Sequence, residues 1–222
     1  MTDCNFDQAE WTADPFCKKN YKQMRKQLKQ RLSAHRYKHS LGVAKTSKKI
    51  AEAYGLDAKK ARMAGLLHDW DKCRDDEAMR RHARSLELDI DPYIIEEMPW
   101  LLHGPTAAAV LAKEHPEFGP DVFQAIARHT SGAADMSDLD CVVYTADLIE
   151  PGRDFGKGSG LDELRACVGE VPLQELYFRA FKLTFHSLIE RSKPLFPGTC
   201  EIFNALCAQH AEREAEQAAL GE

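Results

Sequence analysis

The spacing of apolar residues predicts helices along nearly the whole chain. In the stretch 18–32 the apolar side chains recur three or four positions apart, which places them on one face of a helix. They are Tyr21, Met24, Leu28 and Leu32. Alternating runs typical of strands are short and scarce. The pattern therefore predicts an all-α fold of eight or more helices, in one domain and without internal repeats.

Further helices are predicted between residues that commonly begin or end them. The predicted stretches are 35–54, 58–71, 104–115, 121–129, 138–150, 161–191 and 199–217. Gly55 is a natural stop after the second helix, and Asp57 can cap the third. The glycine-rich residues 152–160 do not match the phosphate-binding pattern GxxxxGK[ST], and we expect a flexible loop there.

The length of 222 residues fits one domain with short extensions. We expect an N-terminal extension at 1–20, a helical domain at 21–207 and a polar C-terminal tail at 208–222. The apolar fraction of 44% is sufficient for a buried core.

The net charge of −5, without a long basic run, argues against a general nucleic-acid binder, which needs a cationic surface. A local group of cations, or a metal, would still suit an anionic small molecule. The basic residues of 18–32 are either a face for anionic partners or the solvated side of a packed helix, and we favour the second interpretation.

Seven cysteines without a CxxC pair indicate reduced thiols rather than a disulfide framework or a thiolate zinc site. The N-terminal residues lack the apolar core of a signal peptide. No apolar run approaches the ~20 residues that span a bilayer. We therefore expect a cytoplasmic protein with no membrane partner, and the sequence leaves a homodimer open.

Six ionisable residues fall on or beside the apolar faces of five predicted helices. They are His39, His68, Asp69, His103, His129 and Asp147. A single histidine on an apolar face is more often a satisfied core residue than a ligand. Burying six ionisable groups is costly, however, unless they pair or bind a metal. Imidazole and carboxylate without thiolate suit iron, manganese, zinc, nickel or cobalt, and leave coordination positions for water and substrate.

The order H…HD…D, on His39, His68, Asp69 and Asp147, resembles the HD superfamily of helical metal-dependent phosphohydrolases. Within that superfamily, the chain resembles the YqeK-like group of symmetrical diadenosine tetraphosphatases over residues 21–207. The segments that carry this resemblance are RYKHSLGVA (36–44), GLLHDWDK (65–72), LLHGPTAA (101–108), ARHTSG (127–132), YTADLIEPGR (144–153) and FPGTCEIFNAL (196–206). It implies a single HD-domain helical bundle.

The resemblance also implies a divalent metal bound by His39, His68, Asp69 and Asp147. Iron is the expected metal, with manganese, cobalt or nickel as alternatives, and the sequence does not decide between one ion and two. His103 would line the same pocket and either bind a second ion or donate to phosphate oxygens. The same two roles are open for His129.

We expect the catalytic residues to be Asp69, Lys72, His103 and His129. Lys72, His103, His129 and Arg153 are the expected substrate contacts. Lys72 follows Asp69 by three positions, so its ammonium can reach a phosphate at the metal; the alternative is a surface lysine at a helix end. Arg153 either clamps a phosphate with its planar guanidinium or pairs in its loop with Glu150 or Asp154. Asp71 is either an exposed residue or a partner that orients His68.

The reaction implied by the resemblance is hydrolysis of diadenosine tetraphosphate to two ADP by metal-activated water. One alternative is another HD-type nucleotide phosphohydrolase, such as a nucleoside monophosphate phosphatase. A second is a non-catalytic nucleotide-binding regulatory module, against which the presence of all four metal residues argues. A cyclic-dinucleotide phosphodiesterase would need a GYP signature, and the chain has none.

Overall fold

The structure, a computed structural model, describes residues 11–154 and 160–220. These residues form eleven α-helices and no strand, which confirms the all-α prediction. The helices are α1 (Lys18–Arg31), α2 (Ala34–Ala53), α3 (Ala58–Leu67), α4 (Asp76–Ser85), α5 (Pro92–Glu97), α6 (His103–Glu114), α7 (Pro120–Arg128), α8 (Asp138–Ile149), α9 (Leu161–Ala166), α10 (Leu173–Glu190) and α11 (Thr199–Leu220).

The ends of α2 and α3 follow local side-chain chemistry. Gly55 adopts a φ of 68° just beyond α2, a conformation that glycine reaches without steric cost. The carboxylate of Asp57 accepts hydrogen bonds from the first backbone amides of α3, as the sequence predicts. Helix α3 ends four residues earlier than predicted. Beyond it the backbone tightens into a turn, where the Lys72 amide donates to the Asp69 carbonyl at 3.0 Å.

The core consists of two large apolar clusters on either side of the α2, α3 and α8 helices. In the first, Met24 and Leu28 of α1 pack with Trp70 and with residues of α6 and α7. In the second, Tyr177 and Phe181 of α10 pack with residues of α2 and α8. Helices α2, α3, α6, α7 and α8 thereby enclose a group of polar side chains between the two clusters.

A close approach of α2 and α3 depends on Gly65. A Cβ atom at this position would overlap the Ser47 hydroxyl and would lie 3.1 Å from the carbonyl oxygen of Val43. Ala61 and Ala64, on the same helix, are fully or almost fully buried. These small residues bring the end of α3 next to α2, which is where the candidate site lies.

The two ends of the described chain are ordered parts of the fold. Trp11 stacks on His115 with ring centroids 5.1 Å apart, and Phe16 stacks on Phe118 at 6.0 Å. Helix α11 continues across residue 208, where the sequence predicts the start of a tail. Residues 155–159 of the predicted flexible loop, and the first ten residues of the predicted N-terminal extension, lie outside the described residues.

The described cysteines are all free: Cys17, Cys73, Cys141, Cys167, Cys200 and Cys207. This agrees with the expectation of reduced thiols. Among the described helices, none has the length and apolar character required to cross a membrane.

Candidate metal centre

The six ionisable residues predicted from the sequence lie together between five helices. His39 lies within α2, His68 caps the end of α3, and Asp69 follows it. The other three come from the start of α6, the end of α7 and the face of α8: His103, His129 and Asp147. Five of the side chains are buried, and that of Asp147 is 21% exposed. The structure thus brings together residues as far apart in the sequence as His39 and Asp147, which are 108 positions apart.

One half of the centre consists of His39, His68 and Asp147. The Asp147 Oδ1 atom lies 2.8 Å from Nε2 of His39 and 3.7 Å from Nε2 of His68. The buried Nε2 atom of His68 has no hydrogen-bond partner in the part of the chain that the structure describes. An unsatisfied buried nitrogen beside a carboxylate is the arrangement that a metal ion would complete.

Asp69 joins this half to a second one. Its Oδ2 atom lies 3.6 Å from Nε2 of His68, whereas its Oδ1 atom lies 3.2 Å from Nε2 of His103 and 3.9 Å from Nε2 of His129. The two oxygens of one carboxylate therefore face different imidazoles. Two sets of three possible ligand atoms each fit within 4.8 Å, one with His39, His68 and Asp147, the other with His68, Asp69 and His129.

All four histidines point Nε2 towards the centre and hold Nδ1 against an oxygen. The acceptors are Glu150 Oε1 for His39 (3.0 Å), the carbonyl of Gly65 for His68 (2.8 Å), that of Trp100 for His103 (2.7 Å) and that of Ile126 for His129 (2.7 Å). For His68, His103 and His129 the acceptor is a carbonyl oxygen, which fixes the proton on Nδ1 and leaves the Nε2 lone pair free for a metal.

Burial keeps two of the imidazoles neutral. Burial lowers the pKa of His68, against the attraction of the nearby carboxylates. Burial, together with the neighbouring His103 and His68, lowers the pKa of His129 to about 3. Neutral imidazole is the form that binds metal.

Both aspartates are held in the ionised form. Burial opposes ionisation of Asp69, but His68 and His103 outweigh it and hold the pKa of Asp69 well below its usual range. Burial likewise opposes ionisation of Asp147, but the close contact with the His39 ring outweighs it and lowers the pKa of Asp147. In return, the Asp147 carboxylate raises the pKa of His39 despite the burial of that ring. The ionised carboxylates, with the neutral imidazoles of His68 and His129, are the forms that bind a divalent cation.

Two of the cationic side chains predicted from the sequence, Lys72 and Arg153, border the centre. Lys72 Nζ donates to the Trp100 carbonyl at 3.3 Å and lies 3.0 Å from Nδ1 of His103. Lys72 is half-buried in this position, and burial lowers its pKa. Arg153 donates to Asp147 Oδ1 at 2.8 Å.

Sequence inspection missed two residues of the centre. Arg36 donates to Asp69 Oδ2 at 3.3 Å, and the buried Glu150 contacts His39 as described above. Arg36 precedes His39 by three positions, and Glu150 follows Asp147 by three. This spacing puts both on the same helix face as a predicted ligand, and it is the signal that would have found them. Gly42 makes room for Glu150, because a Cβ there would overlap its carboxylate.

Asp71 has neither of the roles considered for it. It is fully buried, and its carboxylate accepts hydrogen bonds from Arg31 at 3.1 Å, Arg74 at 2.7 Å and His82 at 3.1 Å. It therefore ties α1 and α4 to the turn that carries Asp69, and no described contact joins it to His68.

Comparison with known proteins agrees with this geometry. The HD domain family matches residues 36–152. The chain is 35% identical to a Bacillus subtilis protein named "Bis(5'-nucleosyl)-tetraphosphatase, symmetrical", over 81% of this chain and 93% of that one. It is 32% identical to a Staphylococcus aureus protein of the same name, over 83% of this chain and 93% of that one.

A solved structure from Clostridium acetobutylicum is also similar. It is described as a "predicted HD superfamily hydrolase involved in NAD metabolism", is 36% identical, and superposes with a TM-score of 0.75. The match covers 85% of this chain and 97% of that chain. The chain therefore belongs to the HD domain family, whose members bind divalent metals, and within it to the group that the Bacillus and Staphylococcus relatives represent.

Proposed function

We propose that the chain hydrolyses diadenosine tetraphosphate to two ADP at a divalent metal held by His39, His68, Asp69 and Asp147. The observation that carries the proposal is that four Nε2 atoms and two carboxylates face one another in a single centre, with each histidine held through its Nδ1 atom. Identity of 35% to a named symmetrical tetraphosphatase, over most of both chains, supports the choice of substrate.

The donor set fits a metal of the first transition row, because it combines neutral imidazoles with carboxylates and contains no thiolate. We propose iron, with manganese, cobalt or nickel as functional substitutes. The separate orientation of the two Asp69 oxygens favours two ions. A second ion would be held by Asp69, His103 and His129.

A bound divalent metal polarises a phosphoryl oxygen and lowers the pKa of water, so that hydroxide is available at neutral pH. Asp69 and Asp147 are ionised and can accept a hydrogen bond from the attacking water, which orients it. One water is consumed. Its oxygen bonds to an inner phosphorus, the bond from that phosphorus to the central bridging oxygen breaks, and each half leaves as ADP.

The cations at the rim offset the charge on the phosphates. Lys72 lies beside the His103 end of the centre, Arg36 beside Asp69, and Arg153 beside Asp147. Each arginine is paired with a carboxylate that the metal would also bind. Guanidinium groups at these positions would also suit phosphate oxygens of the substrate.

A substrate panel tests the proposal. Protein prepared without oxygen and loaded with iron, manganese or cobalt is given diadenosine tetraphosphate, AMP and ATP, and products are separated by chromatography. We expect turnover of the dinucleotide alone, with ADP as product, and its loss in Asp69→Ala. Asp89→Ala, at an exposed loop position, is the matched control. Release of phosphate from AMP, with the dinucleotide left intact, would assign the chain to the monophosphate phosphatases.

A further inference from the structure

A groove of about 210 Å³ leads away from the metal centre between α8 and α10. His129 and Asp147 line it at the end of the metal centre, next to Arg153. The groove and the candidate centre therefore share walls, and a ligand with phosphates at the metal would extend into it. A larger cavity, of about 310 Å³, lies between α9 and α10 and includes none of the residues of the centre.

One face of α10 forms the far wall of this groove. Its lining residues are Leu183, Thr184, Ser187, Leu188 and Arg191, which are spaced so that they share a side of the helix. Tyr144 and Leu148 of α8 face them. Apolar side chains, with the hydroxyls of Thr184, Ser187 and Tyr144 among them, suit a nucleoside, which has flat apolar base faces and a ribose rich in hydroxyls.

Arg191 differs from the other arginines near the centre. Arg36 and Arg153 each contact a carboxylate of the metal centre. The guanidinium of Arg191, by contrast, has no hydrogen-bond or ion-pair partner in the described part of the chain, although it lines the groove. A cation without a protein partner at the wall of a ligand groove is available to acceptor atoms of a ligand.

We propose that this groove binds the nucleoside of one ADP half of the substrate, with Arg191 and Ser187 as specificity-determining residues. This rests on the proposed function. The phosphates of that half lie towards Asp147 and Arg153, and the nucleoside lies along α10. The groove, at about 210 Å³, is smaller than the ~300–1,000 Å³ of pockets that enclose a whole drug-sized ligand, so we place a single nucleoside in it. The other half of the substrate then lies outside the groove, and the two ADP products are held unequally.

Binding measurements on the full chain test the assignment. Ser187→Trp fills the groove, and Arg191→Ala removes its cation. The control is Ile189→Trp, which adds the same bulk at a position of α10 that is 56% exposed and does not line the groove. Calorimetric titration with ADP, and separately with inorganic pyrophosphate, is made on manganese-loaded protein. We expect Ser187→Trp and Arg191→Ala to weaken ADP binding about tenfold or more and to leave pyrophosphate binding within about twofold. Ile189→Trp should change neither.

The subsite is overturned if both variants bind ADP as tightly as the unaltered chain, or lose pyrophosphate binding to the same extent as ADP binding. This readout does not depend on turnover. If the unaltered chain shows the expected ADP pattern but does not cleave diadenosine tetraphosphate, the subsite stands and the proposed reaction fails. If it cleaves the dinucleotide while the ADP pattern is absent, the reaction stands and the subsite fails.

Discussion

Nδ1 of His39 lies 3.0 Å from Oε1 of Glu150, and Nε2 of the same ring lies 2.8 Å from Oδ1 of Asp147. The imidazole is thus held between two carboxylates, one inside the centre and one behind it. The rear carboxylate also accepts a hydrogen bond from the Gly152 amide at 2.7 Å, which fixes its own position. Such an arrangement orients a metal-binding histidine and makes its free nitrogen more basic.

Glu150→Gln should therefore weaken metal binding by about 10–100-fold, because the histidine loses its charged partner while the shape of the site is kept. Titration of metal-free protein with manganese, followed by electron paramagnetic resonance, measures the affinity. Glu52→Gln, on the exposed side of α2, serves as the control. Unchanged manganese affinity in Glu150→Gln would show that this carboxylate does not support a metal ligand.

Metal binding should also stabilise the fold, because the buried nitrogens and carboxylates exist together only in the folded chain. At a metal concentration of 100 times Kd, the gain in the free energy of unfolding is about 2.7 kcal/mol. For a chain of this length it raises Tm by about 5–10 °C. Thermal scans with manganese and with a chelator measure the difference. Asp69→Asn should show a smaller rise, and an equal rise in that variant would place the stabilising ion elsewhere.

Lys72→Met should lower kcat by about 10²–10³-fold, as expected when one preorganised charge is removed from a phosphoryl-transfer site. Steady-state kinetics at saturating diadenosine tetraphosphate measures the loss. Lys59→Met is the matched control, since that side chain is 71% exposed on α3. If the two variants retain the same kcat, Lys72 has no part in offsetting charge on the phosphates.

Asp71→Asn should lower the free energy of unfolding by about 2–3 kcal/mol. Removing one partner of a fully buried ion pair costs about 3–5 kcal/mol, and the cost is smaller here because Arg31 and Arg74 keep some contact with water. Urea denaturation of the metal-free protein gives the value, with Asp89→Asn as the exposed control. A change below about 0.5 kcal/mol would mean that the Asp71 pairs do not hold α1 and α4 in place.

Although the predicted stretches omit α4 and α5 and join α9 and α10 into one helix, the sequence alone was sufficient for most of the helices and for the six residues of the centre. Their apolar periodicity is strong, and it places His39 and Asp147 on faces that also carry buried residues. The cap at Asp57 is equally local, since the side chain bonds to amides two and three positions away. Predictions of this kind need no knowledge of how distant helices pack.

The remaining features depend on packing between distant segments. The contact of His39 with Glu150 joins residues 111 positions apart, and that of Arg31 with Asp71 joins residues 40 positions apart. In the sequence, the charged residues of these two pairs look like those of a solvated surface. Only the packing of α1, α2 and α8 brings the members of each pair together. The early end of α3 could not be predicted from the spacing of apolar residues either, because the turn after Leu67 continues the apolar and polar spacing of the helix.

The most direct measurement is product analysis of diadenosine tetraphosphate cleavage in water labelled with ¹⁸O, using iron-loaded protein and the Asp69→Ala variant. We expect ADP as the sole nucleotide product, with one labelled oxygen in half of the ADP molecules, and no cleavage by the variant. Formation of ATP and AMP would contradict the symmetric reaction, and equal cleavage by Asp69→Ala would contradict the metal centre itself.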